Sequence, residues 1–188
     1  MDKEEYINRL KGIVSEKRLQ HSLAVAEVSV SLAARFGVDS RRVELAGLLH
    51  DYARDIPGER LIEIAQNRGL VVTCVEKNNP VLLHGPVGAV LVKEDLGISD
   101  PEVLKAVARH TVGGPEMSPL EMIVYVADMI EPGRRFPGVE ELRRKAEKDL
   151  FGTVLLAADR GLSFFLQKRR LIHPATIEMR NWLLSKQP

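Results

Sequence analysis

The chain has 188 residues, 45% of them apolar and 28% charged, with a formal net charge of +1. Those proportions fit a folded soluble domain with a sizeable core and exclude a disordered chain. The near-neutral balance gives no bulk electrostatic reason to expect nucleic acid as a partner, and the single cysteine, Cys74, excludes an internal disulfide and suits a reducing cytoplasm.

The N-terminal stretch "MDKEEYINRL" is acidic and amphipathic and lacks the apolar centre of a signal peptide. No apolar run approaches the ~20 residues of a membrane span, so the expected setting is cytoplasmic, with no membrane partner. In "SEKRLQHSLAVAEVSVSLAARFG", apolar residues recur at Leu19, Leu23, Ala26 and Val30, and again at Val25, Val28, Leu32 and Phe36. Two stripes predict a helix buried over much of its circumference, stopped at Gly37. Ser40 is the expected cap of the next helix, which runs through Val43, Ala46 and His50 until "IPG" breaks it. "GERLIEIAQNRG" predicts a short amphipathic helix ending at Gly69. In "HGPVGAVLVKEDLG", Pro86 suits a first helical turn and places His84 just outside the helix start. "SDPEVLKAVARHTVGG" opens with Asp100 as cap and Pro101 behind it, and closes at Gly113 and Gly114. "SPLEMIVYVADMIEPG" carries Ser118 and Glu121 at capping-box spacing. One longer helical region is expected over roughly 139–170, and "HPATIEMRNWLL" forms a last helix. Only "LVVTCV" has strand-like composition, too isolated to build a sheet. The reading is all-α, a single compact domain over 1–188.

Within that pattern the polar residues are informative. There are five histidines. His21 shares a helical face with Val25, Val28 and Leu32, His50 follows Val43 and Ala46, and His110 follows Val103 and Val107. Asp128 lies one turn beyond Val124, and Asp51 sits beside His50 at the end of an apolar run. Imidazoles and carboxylates are thereby directed to the interior together, where a charge is costly unless it is paired or bound to a cation. Mixed nitrogen and oxygen donors suit a divalent ion such as iron, manganese or zinc.

The order His21, His50-Asp51, Asp128 resembles the HD superfamily of metal-dependent phosphohydrolases, and the intervening His84 and His110 resemble its subgroup with two metals. The blocks "HSLAVA", "LLHDYAR", "LLHGPVGA", "RHTVG", "YVADMIEPGR" and "IHPATIEMRNWL" look like the bacterial symmetrical bis(5'-nucleosyl)-tetraphosphatase (YqeK) family, in matching order from about Tyr6 to Leu184. The resemblance implies one HD-domain helical bundle, with the helices from about 139 to 188 completing a nucleotide pocket. It implies that His21, His50, Asp51 and Asp128 hold one metal, that His84 and His110 complete a second position, and that Asp51 bridges the two. The cofactor so implied is a divalent metal, iron, often as a di-iron centre, with manganese equally admitted by the donor chemistry.

The activity so implied is symmetrical cleavage of diadenosine tetraphosphate to two ADP, by attack of a metal-activated hydroxide on a central phosphate. Asp51 serves that step, Asp55 one turn later is placed to orient a water or a ligand histidine, and Arg54 stands where family members often carry lysine and can meet a phosphate. Arg134 in "IEPGRR" matches the family's arginine facing the phosphates, and Thr111 can donate a hydroxyl to one. In "RRLIHPAT", Ile172, His173 and Thr176 are assigned to base or ribose, while Arg18 and Gln20 lie within a turn of His21 and line the same cavity. "RRK" at 143–145 is set against "VEE" as helix ion pairs. The expected partner is a small dinucleoside polyphosphate; a homodimer is compatible with the sequence. Two other functions stay open: an HD phosphohydrolase acting on a different nucleotide, and a non-catalytic nucleotide-binding module.

Overall fold

A computed structural model describes residues 3–186; the two positions at each end of the expected 1–188 domain lie outside them. The described residues form eleven α-helices and one 3-10 turn, with no strand. The helices are α1 (Lys3–Lys11), α2 (Glu16–Phe36), α3 (Ser40–Leu49), α4 (Gly58–Asn67), α5 (Cys74–Asn78), α6 (His84–Leu96), α7 (Pro101–Arg109), α8 (Pro119–Ile130), α9 (Val139–Ala146), α10 (Leu150–Gln167) and α11 (Pro174–Ser185). The 3-10 turn, Pro80–Leu83, runs directly into α6. Among the described residues no helix is long and apolar enough to cross a membrane.

Local signals explain most boundaries. Gly37 takes a left-handed φ of 67° and returns its N–H to the Ala33 carbonyl, closing α2. Asp100 accepts from the amides of Glu102 and Val103, with Pro101 behind it. Ser118 and Glu121 satisfy one another's backbone N–H groups at the start of α8.

Two boundaries differ from the expectation, and two segments are defined more finely than it. Asp39, not Ser40, caps α3, because its carboxylate reaches the free amides of Arg41 and Arg42. His84 is the first residue of α6 rather than outside it, since the 3-10 turn delivers the chain already coiled. The region 139–170 is two helices, interrupted where Asp149 turns its side chain onto the Gly152 amide and caps α10. "LVVTCV" contains no strand: residues 70–73 are irregular and Cys74 opens α5.

Helix α8 is the axis of the domain. Leu120 through Ala127 are all buried, as expected of a helix apolar on every side. Helices α2, α3, α7, α9 and α10 pack on it, and Leu49, Val107, Ile123 and Val124 belong to one continuous core. A smaller cluster of Ala53, Leu61, Ala65, Leu83 and Val87 seats α4 against the 3-10 turn and α6.

Two close approaches position the polar centre. At Gly47 an added Cβ would lie 2.9 Å from Ser29 Oγ and 3.1 Å from Ala26 Cα, so only glycine lets α3 lie this near α2. At Gly85 it would lie 2.6 Å from the Ala108 carbonyl oxygen, a backbone atom that cannot swing away. Gly85→Ala should therefore force α6 off α7 and destabilise the fold by about 1–3 kcal/mol, measured by denaturant unfolding; unchanged stability would show that the two helices are free to separate.

Candidate metal centre

Three of the four interior histidines are placed by one local device. His50 ends α3, His84 ends the 3-10 turn and His110 ends α7. At the ends of α3 and α7 the last carbonyls lack intrahelical partners, whereas the Val81 carbonyl of the 3-10 turn also accepts the His84 N–H and takes the ring as a second donor. The Nδ1–H of His50 donates to the Gly47 carbonyl at 2.7 Å, that of His110 to Val107 at 2.8 Å, and that of His84 to Val81, each three residues back. His21 lies inside α2 and turns its Nδ1 to the carboxylate of Glu131, 3.3 Å away. With Nδ1 the donor in all four rings, Nε2 carries the lone pair.

Those lone pairs face one another. His21 Nε2 is 3.2 Å from His50 Nε2, and His84 Nε2 is 2.9 Å from His110 Nε2. Between the pairs stands Asp51, nearly fully buried. Its Oδ2 lies 3.3 Å from His50 Nε2 and 3.7 Å from His21 Nε2, while its Oδ1 lies 3.1 Å from His84 and 3.6 Å from His110. Asp128, near the C-terminus of α8, brings Oδ1 to 3.0 Å from His21 Nε2 and 3.8 Å from His50 Nε2. Six donor residues from α2, α3, the 3-10 turn with α6, α7 and α8 thus form overlapping groups, each with donor atoms within 4.8 Å of one another.

The electrostatics agree with a cation site. Burial pushes the Asp51 carboxyl up, but His50, His110 and His84 outweigh it and hold the group well below the carboxylate range. Burial acts on Asp128 likewise and is overcome by the His21 hydrogen bond, His50, Arg134 and His110. Burial drives His84 down, whereas Asp51 overcomes burial and raises His110. Two anionic carboxylates facing four imidazole Nε2 atoms, with the C-terminal ends of α3, α7 and α8 adding negative potential, form a donor set that fits divalent cations.

Comparison with known proteins places the chain. A family model of the HD domain matches residues 18–133. The symmetrical bis(5'-nucleosyl)-tetraphosphatase of Bacillus subtilis is 38% identical over 98% of this chain and 99% of its own. The protein of that name from Halalkalibacterium halodurans is 37% identical over the whole of both chains. The chain belongs to the HD-domain family of symmetrical bis(5'-nucleosyl)-tetraphosphatases. A crystal structure of a predicted HD superfamily hydrolase involved in NAD metabolism, from Clostridium acetobutylicum, superposes with a TM-score of 0.96 at 42% identity, covering 100% of this chain and 99% of that one. Dependence on a divalent metal goes with the HD domain, and the six-residue cluster is able to bind one.

Around the HD centre the remaining candidates divide. Arg18 donates from Nη1 to Asp51 Oδ2 at 2.6 Å. Arg134 donates to the Asp128 carbonyl at 2.6 Å and to its Oδ1. Thr111 puts its hydroxyl 2.9 Å from His110 Nε2 and 3.3 Å from His84 Nε2, at the centre itself. Arg54 is half-buried with no side-chain partner among the described residues. Thr176 donates its hydroxyl to the Val112 carbonyl at 2.8 Å, tying α11 to the turn after His110. Ile172 lines a groove of about 530 Å³ with Leu162, Leu166 and Ile177, between α10 and α11. His173 caps α11 by accepting the Ala175 N–H at Nδ1, and its Nε2 faces Glu76 at 3.6 Å.

Two candidates are not where they were expected. Gln20 is exposed and donates to Glu16 on its own helix; Arg18 and His21, three apart, share a face that their neighbour Gln20 does not. Asp55 is exposed and accepts the Ser15 amide at 2.7 Å, so its carboxylate caps α2 from across the chain rather than orienting a histidine. Two further residues gave no sequence signal, Glu131 behind His21 and the buried Glu76 behind His173, and a third, Arg143, does more than its sequence suggested. Arg143 does pair with Glu140, as expected of "RRK", but it also donates to the carbonyls of Ile130, Glu131 and Arg134. Asp55→Ala should lower unfolding stability by about 1 kcal/mol through the lost cap and leave turnover by the folded protein intact. Unchanged stability with lost turnover would return Asp55 to the catalytic set.

Proposed function

We propose that this protein hydrolyses diadenosine tetraphosphate symmetrically, releasing two ADP. The observation that carries the reading is Asp51, whose two oxygens face separate imidazole pairs within a six-donor cluster; the full-length identity to symmetrical tetraphosphatases supports it. His21, His50, Asp51 and Asp128 would hold one cation, and His84 and His110, with Asp51 shared, a second. We read the metal as iron on the family resemblance alone; neutral imidazole and carboxylate donors admit manganese equally. Bound there, the metals supply an acidified water and neutralise charge on the attacked phosphate.

The protein's own groups set where the cut falls. Asp51 and Asp128, both anionic, keep the centre's donors in place. Arg18 and Arg134 bring guanidinium groups to its edge, two forks that match a polyphosphate carrying several negative charges, and we assign Arg54, half-buried three residues after Asp51, to a phosphate as well. Water adds to a central phosphorus as the bridging oxygen leaves with the other ADP, so each half retains two phosphates. We assign Thr111 to a phosphate and Ile172, His173 and Thr176 to the nucleoside. The bond from Thr176 to the turn after His110 supports a pocket completed by the C-terminal helices, within one domain. The exposed thiol of Cys74 suits the cytoplasm.

Anaerobically purified protein should contain iron or manganese and convert diadenosine tetraphosphate to ADP alone, resolved by product chromatography. Asp51→Ala should lose most bound metal and at least ~10³-fold in turnover, as expected when a metal ligand shared between both ions is removed. Full turnover in that variant would refute the site. Preferred hydrolysis of a nucleoside triphosphate, monophosphate or cyclic dinucleotide would favour the broader HD phosphohydrolase reading, and ADP binding without hydrolysis in the metal-replete protein the non-catalytic one.

A further inference from the structure

We propose that Glu131 is a positioning residue for His21: its buried carboxylate accepts the Nδ1 proton of that ring and so aims Nε2 into the centre. The inference rests on the metal reading above and concerns a residue that is neither one of the six donors nor a nucleotide contact.

His50, His84 and His110 sit at the ends of helices or a 3-10 turn and use a backbone carbonyl three residues back. His21 sits inside α2, where the neighbouring carbonyls are taken by the helix's own amides. Its ring has no local acceptor, and an imidazole without one is free to exchange tautomers or turn. The acceptor comes instead from 110 residues away, Glu131 Oε1 at 3.3 Å from Nδ1.

Glu131 is a buried acid with one cation nearby, Arg134, whose Nε lies 3.8 Å from Oε1. It is 5% exposed and follows the last residue of α8, the negative end of that helix dipole. The turn is built to keep it there. Its other oxygen, Oε2, accepts the Gly133 N–H. A Cβ on Gly133 would lie 2.9 Å and 3.0 Å from the two carboxylate oxygens, so glycine leaves the room the contact needs. Arg143 holds the same turn from outside by donating to the carbonyls of Ile130, Glu131 and Arg134. A carboxylate is a stronger acceptor than a carbonyl and makes the opposite ring nitrogen a better donor to a cation.

Titration of the metal-free chain with manganese(II), followed by calorimetry, tests this. Glu131→Gln keeps the side chain's size and removes its charge; it should bind manganese about 10-fold to 100-fold more weakly. At saturating manganese it should lower kcat while leaving KM for the dinucleotide near the wild-type value. Wild-type manganese affinity in Glu131→Gln, whatever its melting temperature, would reduce Glu131 to a loop residue and overturn the proposal. Wild-type protein that binds no manganese would instead defeat the underlying metal reading, a distinguishable failure that takes the proposal with it. Should Glu131→Gln fail to fold, nitrogen-15 spectra of the zinc-loaded wild-type chain decide: His21 must carry its proton on Nδ1, and an unprotonated Nδ1 would overturn the assignment.

Discussion

Two pairs of imidazole nitrogens, each pair about as close as hydrogen-bonding atoms, point their lone pairs at one another: His21 with His50 at 3.2 Å and His84 with His110 at 2.9 Å. In neutral rings each Nδ1 donates to an oxygen, which leaves the facing Nε2 atoms as acceptors; the Thr111 hydroxyl lies within donating distance of the second pair, and His21 Nε2 lies 3.0 Å from Asp128 Oδ1. The buried carboxylates of Asp51 and Asp128 add negative charge to the same small volume. Such a cluster is stable only when positive charge sits among it. The remaining features of the domain serve to hold these groups together against their mutual repulsion.

The fold does this with helix ends. Helices α3 and α7 and the 3-10 turn each finish at the centre, and each final carbonyl triplet fixes a histidine ring. The negative ends of α3, α7 and α8 converge there, which favours cations and would repel an unassisted polyphosphate. Gly47 and Gly85 allow α3 onto α2 and α6 onto α7, so the two imidazole pairs form across helix contacts too tight for any side chain. The apolar α8 supplies Asp128 from its last turn, one turn beyond the buried Val124.

The architecture was legible in the sequence because helical periodicity and capping chemistry are local. His21, His50, His110 and Asp128 announced themselves as polar residues in register with apolar stripes. The fine boundaries were less legible: a carboxylate one position earlier than Ser40 reached the free amides of α3, and Asp149 divides the helical region expected over 139–170 into two helices. What the sequence hid depends on contacts between distant segments. Asp55 has helical spacing from Asp51, yet it turns outward to cap α2 at Ser15. Gln20 adjoins His21 in the chain but lies off its face. Glu131, Glu76 and Arg143 look like ordinary charged residues near helix ends, and only the packed domain shows two of them behind histidines and the third over a turn.

The central claim is that Asp51 stands between two cations held by the paired imidazoles. Anomalous X-ray diffraction at the iron or manganese absorption edge, on crystals of metal-loaded protein, tests it most directly. The account predicts two peaks flanking Asp51, one in contact with His21, His50 and Asp128 and the other with His84 and His110. No peak within the cluster, or one ion bound elsewhere while the imidazoles swing apart, would contradict it.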